Sequence, residues 1–182
     1  LFKIAPVSKT TRSRQMYLPD TNILLTRFFS DEVMATLSNF MPISESTHDN
    51  TLIRRLKVVH GEIKFQMTCA PRFDYGRAKH TVKKRHGEVT FREQGKQHII
   101  LRLHPSVAVN IENGDAVAEF TLRAGESVAF ILEEAGRGKK SAPGAAGLSD
   151  DDYFSQAFKD TMNYWTNWIG RSKYRGRWRE IV

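Results

Sequence analysis

The chain has 182 residues, 40% of them apolar and 26% charged, which is ordinary globular usage and excludes a disordered or fibrous class. That length suffices for one domain burying roughly 70% of its unfolded-state surface, or for one domain with a short appendage. A net charge of +8 raises nucleic acid as a partner, whereas no apolar run approaches the roughly 18 residues of a membrane-spanning helix, and a single cysteine excludes an internal disulfide and any zinc-type spacing.

Leu1 to Pro6 shows neither an initiator Met nor a signal-peptide pattern, as expected of a chain cut from a longer one. From residue 12 to about 133 the pattern is of short strands rich in β-branched, aromatic and aliphatic residues. They are predicted at Arg14 to Leu18, Asn22 to Phe29, Val33 to Phe40, Leu52 to Val59, Glu62 to Cys69, Glu88 to Arg92, His98 to Leu103, Val107 to Ile111, Ala116 to Leu122 and Ser127 to Glu133. Pro19-Asp20, Ser30-Asp31, His60-Gly61, Asn113-Gly114-Asp115 and Ala124-Gly125-Glu126 supply the turn residues between them. In Ile63 to Thr68 and Val117 to Leu122 every second side chain is large and apolar, so those strands are half buried. Many strands at hairpin spacing with no helical pattern between them predict a mainly β fold, an antiparallel β-sandwich over residues 1–135.

Lys79, His80, Lys83, Lys84, Arg85 and His86 form one basic cluster, and Arg171, Lys173, Arg175, Arg177 and Arg179 another; a solvated face is the commoner meaning of such runs. Residues 136–148, rich in Gly, Ala and Lys and without a large apolar anchor, read as a flexible linker. A helix is predicted to start at Ser149 or Asp150 as N-cap, with Asp151 and Asp152 at the positive end of its dipole. Phe154, Phe158, Thr161, Met162, Trp165, Trp168 and Ile169 make one broad apolar face on it, and Gly170 is placed to end it at C′. Tyr174, Trp178 and Val182 restart a helical pattern.

No constellation for chemistry emerges. Asp74 stands between Arg72 and Arg77, which favour its charged form and oppose the raised pKa of a general acid. Gly76 permits an unusual backbone after Tyr75, and Phe73 and Tyr75 are expected to pack or to face a neighbouring domain. Asp31-Glu32 and Glu133-Glu134 are adjacent carboxylates that a strand points to opposite faces, and Asp150 to Asp152 are explained by capping. The six histidines show no i,i+4 pair, so no metal and no cofactor are expected. There is no Gly-x-Ser-x-Gly elbow, and Cys69 within an alternating strand reads as a buried, inert thiol. The lone cysteine favours a reducing compartment, hence a cytoplasmic location.

The order of several segments resembles the N-terminal domain of family 15 glycoside hydrolases, the glucoamylase-like and trehalase-like enzymes. The segments are Phe40 to Ile43, Leu52 to Ile63, Ala70 to Arg77, Ala118 to Glu126, and Tyr164 to Ile169 followed by Tyr174 to Trp178. Pro71-Arg72-Phe73-Asp74-Tyr75-Gly76-Arg77 is the most specific of them. The resemblance implies a large, curved, supersandwich-like β-sandwich, followed by a C-terminal linker helix and the start of an (α/α)6 barrel within residues 149–182. It also implies that the two inverting carboxylic acids lie in that barrel, outside this sequence, so catalytic residues here are none. The chain is then expected to be a non-catalytic N-terminal domain. Its partner is the barrel of the same polypeptide, and its substrates, through that barrel, are α-glucans or trehalose. Phe158, Trp165, Trp168, Tyr174 and Trp178 are expected to form the contact between domains, and Arg72, Phe73, Asp74, Tyr75, Gly76 and Arg77 a structural motif. The alternatives are an autonomous carbohydrate-binding module and, less in keeping with the residues, a nucleic-acid-binding β-domain using Lys79 to Arg85.

Overall fold

A computed structural model of the chain describes residues 1–43, 50–136 and 151–172. Twelve strands and one helix are found among them. In chain order the strands are β1 (Phe2–Pro6), β2 (Arg12–Tyr17), β3 (Leu24–Phe29), β4 (Met34–Phe40), β5 (Thr51–His60) and β6 (Glu62–Cys69), then β7 (His80–Arg85), β8 (Glu88–Glu93), β9 (Ile100–Pro105), β10 (Asn110–Glu112), β11 (Asp115–Arg123) and β12 (Ser127–Glu134). The helix α1 is Asp151–Gly170.

All pairings are antiparallel, in a four-stranded sheet ordered β1-β6-β11-β10 and an eight-stranded one ordered β2-β3-β4-β5-β12-β9-β8-β7. Strand β6 shows why they stack. Ile63, Phe65, Met67 and Cys69 are buried while Glu62, Lys64 and Gln66 are exposed, so period-2 patterning gives it one apolar face. That face meets Phe28, Leu37, Leu56, Val58, Phe91 and Phe130 of the larger sheet in a single core. Phe28 and Phe65 meet edge to face at 5.6 Å and Phe120 and Phe130 at 5.9 Å across the layers. Each such ring contributes about 1.5–3 kcal/mol of burial before ordering costs.

The β-sandwich matches the sequence expectation, with local corrections. Strands β1 and β7 were not predicted: the alternation of Phe2, Lys3 and Ile4 in β1 is only three residues long before Ala5-Pro6, and β7 turns Lys83 and Arg85 to solvent and shows no apolar alternation. Of the expected Val107 to Ile111 strand only Asn110 and Ile111 are extended, as part of β10, because the chain before them crosses from β9 in one sheet to β10 in the other. His98 has φ 52° and lies in the turn before β9 rather than in the strand.

A second, smaller core lies on the outer face of the eight-stranded sheet. There Ile23, Phe40, Ile53 and Ile131 receive Tyr153, Phe154, Ala157, Phe158 and Met162 of α1. Phe40 meets Phe154 at 5.5 Å and Phe158 at 5.6 Å, both edge to face, and the Arg55 guanidinium lies 4.6 Å over the Phe154 ring. The Ile43 N–H donates to the buried Thr161 hydroxyl at 3.3 Å. Gly170 is the last helical residue and not a left-handed C′ glycine; Arg171 and Ser172 N–H instead close onto the Trp168 and Ile169 carbonyls. The expected N-cap at Ser149 or Asp150, residues 137–148 of the expected linker, and Tyr174, Trp178 and Val182 lie outside the described residues.

Hydrogen bonds fix which features share an end of the sandwich. Ala70 N–H donates to the Leu1 carbonyl, the Arg54 guanidinium to the Phe2 carbonyl, Glu134 N–H to the Asn50 carbonyl and Gln94 N–H to the Lys79 carbonyl. The start of β5, the end of β6 and the segment joining β6 to β7 therefore lie at one end, with the Ile43 contact to the second half of α1.

Candidate functional site

The segment between β6 and β7 carries the most unusual backbone of the described chain. Phe73–Gly76 form a tight turn in which Asp74 (φ 46°, ψ 50°), Tyr75 (φ 57°, ψ 31°) and Gly76 (φ 84°) are successively left-handed. Asp tolerates this region through local hydrogen bonds and Gly has no Cβ to clash, but Tyr has neither advantage and costs about 1–2 kcal/mol there. Strain of that kind persists only where neighbours over-determine the geometry.

They do so from three sides. Phe73 is buried in the main core, 5.6 Å from the His80 ring, whose Nε2 is 3.0 Å from the Gly114 carbonyl oxygen. The Arg77 guanidinium donates to the Asp74 carboxylate at 2.6 Å and to the Asp74 carbonyl at 3.1 Å, while Arg77 N–H donates to that carbonyl at 3.0 Å. Arg72 grips Asp115, the first residue of β11, in a two-pronged bond of 2.7 and 3.0 Å. The hydrogen bond from Arg72 holds the Asp115 carboxyl below the usual carboxylate range. Among the described residues Asp74 is thus paired with Arg77, and Arg72, its other expected neighbour, serves β11. Tyr75 stands at the tip, 97% exposed.

The contact residues expected on the helix divide. Phe158 packs on Phe40 and Phe154 of this domain's own outer core. Trp165 is half-buried and 5.9 Å edge to face from Trp168, which is 52% exposed, and Tyr164 is exposed beside them. Tyr174 and Trp178 fall outside the described residues.

Two polar groups that the sequence did not flag are deeply buried. His104 of β9 is wholly buried, with Nε2 2.9 Å from Glu133 Oε1, an oxygen that also accepts from Arg102 at 3.2 Å. His104 Nδ1 lies 3.2 Å from Glu88 Oε1, in an orientation too poor for a hydrogen bond. Such an enclosed group can brace β8, β9 and β12 but cannot touch a substrate. Glu93 is likewise buried and accepts from the Ile99 N–H at 3.1 Å. At the core's end, burial lowers Arg54 to about 10 and pushes the Cys69 thiol up to about 12, which keeps that thiol protonated and unreactive.

The basic cluster is split by its own strand. Lys83, Arg85 and His86 line an open recess of about 450 Å3 with Thr90, Arg92 and Arg102 on the outer face of β7 to β9. Lys84 points the other way and donates to the Val109 carbonyl at 2.6 Å. Among the described residues no group of three or more His, Cys, Asp or Glu side chains is placed to hold a metal ion, and no helix is long and apolar enough to cross a membrane.

The family of trehalase-like N-terminal domains matches residues 1–141. No curated protein matches the chain. Among solved structures, a bacterial glucoamylase complexed with acarbose is similar with a TM-score of 0.63 over 89% of this chain, at 11% identity. At that identity the likeness concerns the fold, and this chain spans 29% of the glucoamylase chain.

Proposed function

The chain belongs to the trehalase-like N-terminal domain family, and from that membership we propose that it is the non-catalytic N-terminal domain of a family 15 glycoside hydrolase. Its catalytic (α/α)6 barrel lies in the same polypeptide and cleaves α-glucosidic bonds of maltooligosaccharides, starch-like glucans or trehalose by inversion. The match over residues 1–141 carries the proposal, and the sandwich fold shared with the bacterial glucoamylase supports it.

The state of the carboxylates supports the non-catalytic part. Inversion needs one protonated and one ionised acid roughly 6.5–9.5 Å apart with a water between. Here Glu133 and Glu93 are buried and hydrogen-bonded, Asp74 is paired with Arg77, and Arg72 holds the Asp115 carboxyl below its ordinary pKa. The domain buttresses the barrel through the end of the sandwich where α1 runs out.

The test is hydrolysis of maltose, maltoheptaose and trehalose by the polypeptide that carries this domain and by the 182-residue chain alone. Turnover by the polypeptide and none by the chain is expected; a polypeptide inert toward all three sugars overturns the proposal.

A further inference from the structure

We infer that the Phe73–Gly76 turn is a rigid docking peg whose Tyr75 ring seats in a concavity of the catalytic domain; this rests on the function proposed above. The first observation is exposure. Tyr75 leaves 97% of its surface to solvent, and its ring contact among the described residues is the Arg77 guanidinium, 5.8 Å from the centroid. A Cβ built on Gly76 would meet nothing within 4 Å, so the tip stands clear of its own domain.

The second observation is the backbone. A turn that only reverses the chain would place Gly or Asn at left-handed positions, yet Tyr occupies one here between Asp74 and Gly76. Phe73 anchors the turn from below, Arg77 ties it to Asp74 and Arg72 ties its entry to Asp115. A turn whose backbone is already fixed in place loses little freedom on binding, which is what a preorganised contact requires. Tyr and Arg, which stand side by side at this tip as Tyr75 and Arg77, are also among the residues that dominate protein interfaces.

The third observation is position. The turn follows β6 at the end of the sandwich where the second half of α1 presents Tyr164 and Trp168, both exposed. From β5, beneath the helix, to β7, which the turn enters, there are four strand steps, about 19 Å at ~4.8 Å each. An ordinary interface covers about 800 Å2 on each partner, roughly 30 Å across, and takes in both features. A single ring on a convex tip suits a protein pocket; a sugar platform needs a flat or concave aromatic surface, which makes direct sugar binding the competing outcome.

The experiment is tyrosine nitration of the full polypeptide, read residue by residue by mass spectrometry, with Tyr17, 59% exposed on β2, as the internal reference. Tyr75 is expected to react at least about tenfold more slowly than Tyr17 in the folded polypeptide and equally fast once denatured. Tyr75→Ala is expected to lower the melting temperature of the polypeptide while Tyr75→Phe restores it. Nitration of Tyr75 at the Tyr17 rate in an active polypeptide overturns the inference. So does a Tyr75→Ala variant with an unchanged melting temperature and a raised KM for maltoheptaose, which assigns the ring to sugar. A polypeptide without glycosidase activity is the separate failure of the proposed function.

Discussion

Phe40→Ala removes the residue on which α1 rests. Phe40 is 2% exposed and meets both Phe154 and Phe158 edge to face, at 5.5 and 5.6 Å. Truncating a buried Phe to Ala costs about 3–5 kcal/mol, and in a chain of this size each kcal/mol moves the melting temperature by about 2–4 °C. A drop of about 8–16 °C follows for ~4 kcal/mol. The loss falls first on the helix, because a 20-residue helix without its sheet is marginal in water. All three tryptophans, at positions 165, 168 and 178, lie in or after that helix, so their fluorescence reports its docking while far-ultraviolet circular dichroism reports the sheets. The fluorescence transition is expected to shift further than the dichroism transition in Phe40→Ala. In Phe65→Ala, which opens the core between the sheets, the two are expected to move together. A fluorescence midpoint within about 2 °C of wild type would refute the assignment of the outer core to helix docking.

Cys69, with its thiol pushed up to about 12 by burial, should not react with Ellman's reagent at about pH 8 in the folded chain, and should react stoichiometrically in denaturant. Its burial stabilises fully below an ordinary thiol pKa of about 8.5, and this contribution is lost as pH rises toward 12; rapid native labelling would contradict the packing. The Asp115 carboxyl, depressed by Arg72, stabilises above an ordinary aspartate pKa of about 3.9 and loses that contribution as pH falls through its lower folded value. Melting curves of Asp115→Asn should therefore fall below wild type at neutral pH and converge with it in acid, by under about 1 kcal/mol because Arg72 is half exposed to solvent. A difference that persists below about pH 2 would contradict the sign.

Much of the sandwich was legible because burial leaves a period of two: Glu62–Cys69 alternates so cleanly that both of its boundaries match the sequence reading. β7 was hidden because its outward residues include Lys83 and Arg85 and, among the described residues, it pairs with β8 alone at the sheet edge. The helix face was legible as apolar, but sequence periodicity cannot tell which half of a face meets its own sheet. Phe154 and Phe158 do so, whereas Trp168 does not. The Phe73–Gly76 turn shows the same division. Arg72 and Arg77 were foreseen as charge partners for Asp74, but the bond of Arg72 to Asp115 spans 43 residues and depends on β6 and β11 being neighbours. Nor could composition reveal that Tyr75 is left-handed, since only Gly76 advertises that freedom. His104 with Glu133 was equally invisible, because two strands brought into register create the pair.

The most direct measurement is a proton NMR time course of maltose and trehalose hydrolysis, run in parallel on the polypeptide that carries this domain and on the 182-residue chain. The polypeptide is expected to release newly formed β-glucose from maltose, or equal α- and β-glucose from trehalose, the signature of inversion at an α-glucosidic bond, with no change in the chain-alone sample. Sugar cleavage by the isolated chain, or first-formed glucose that is entirely α, would contradict it.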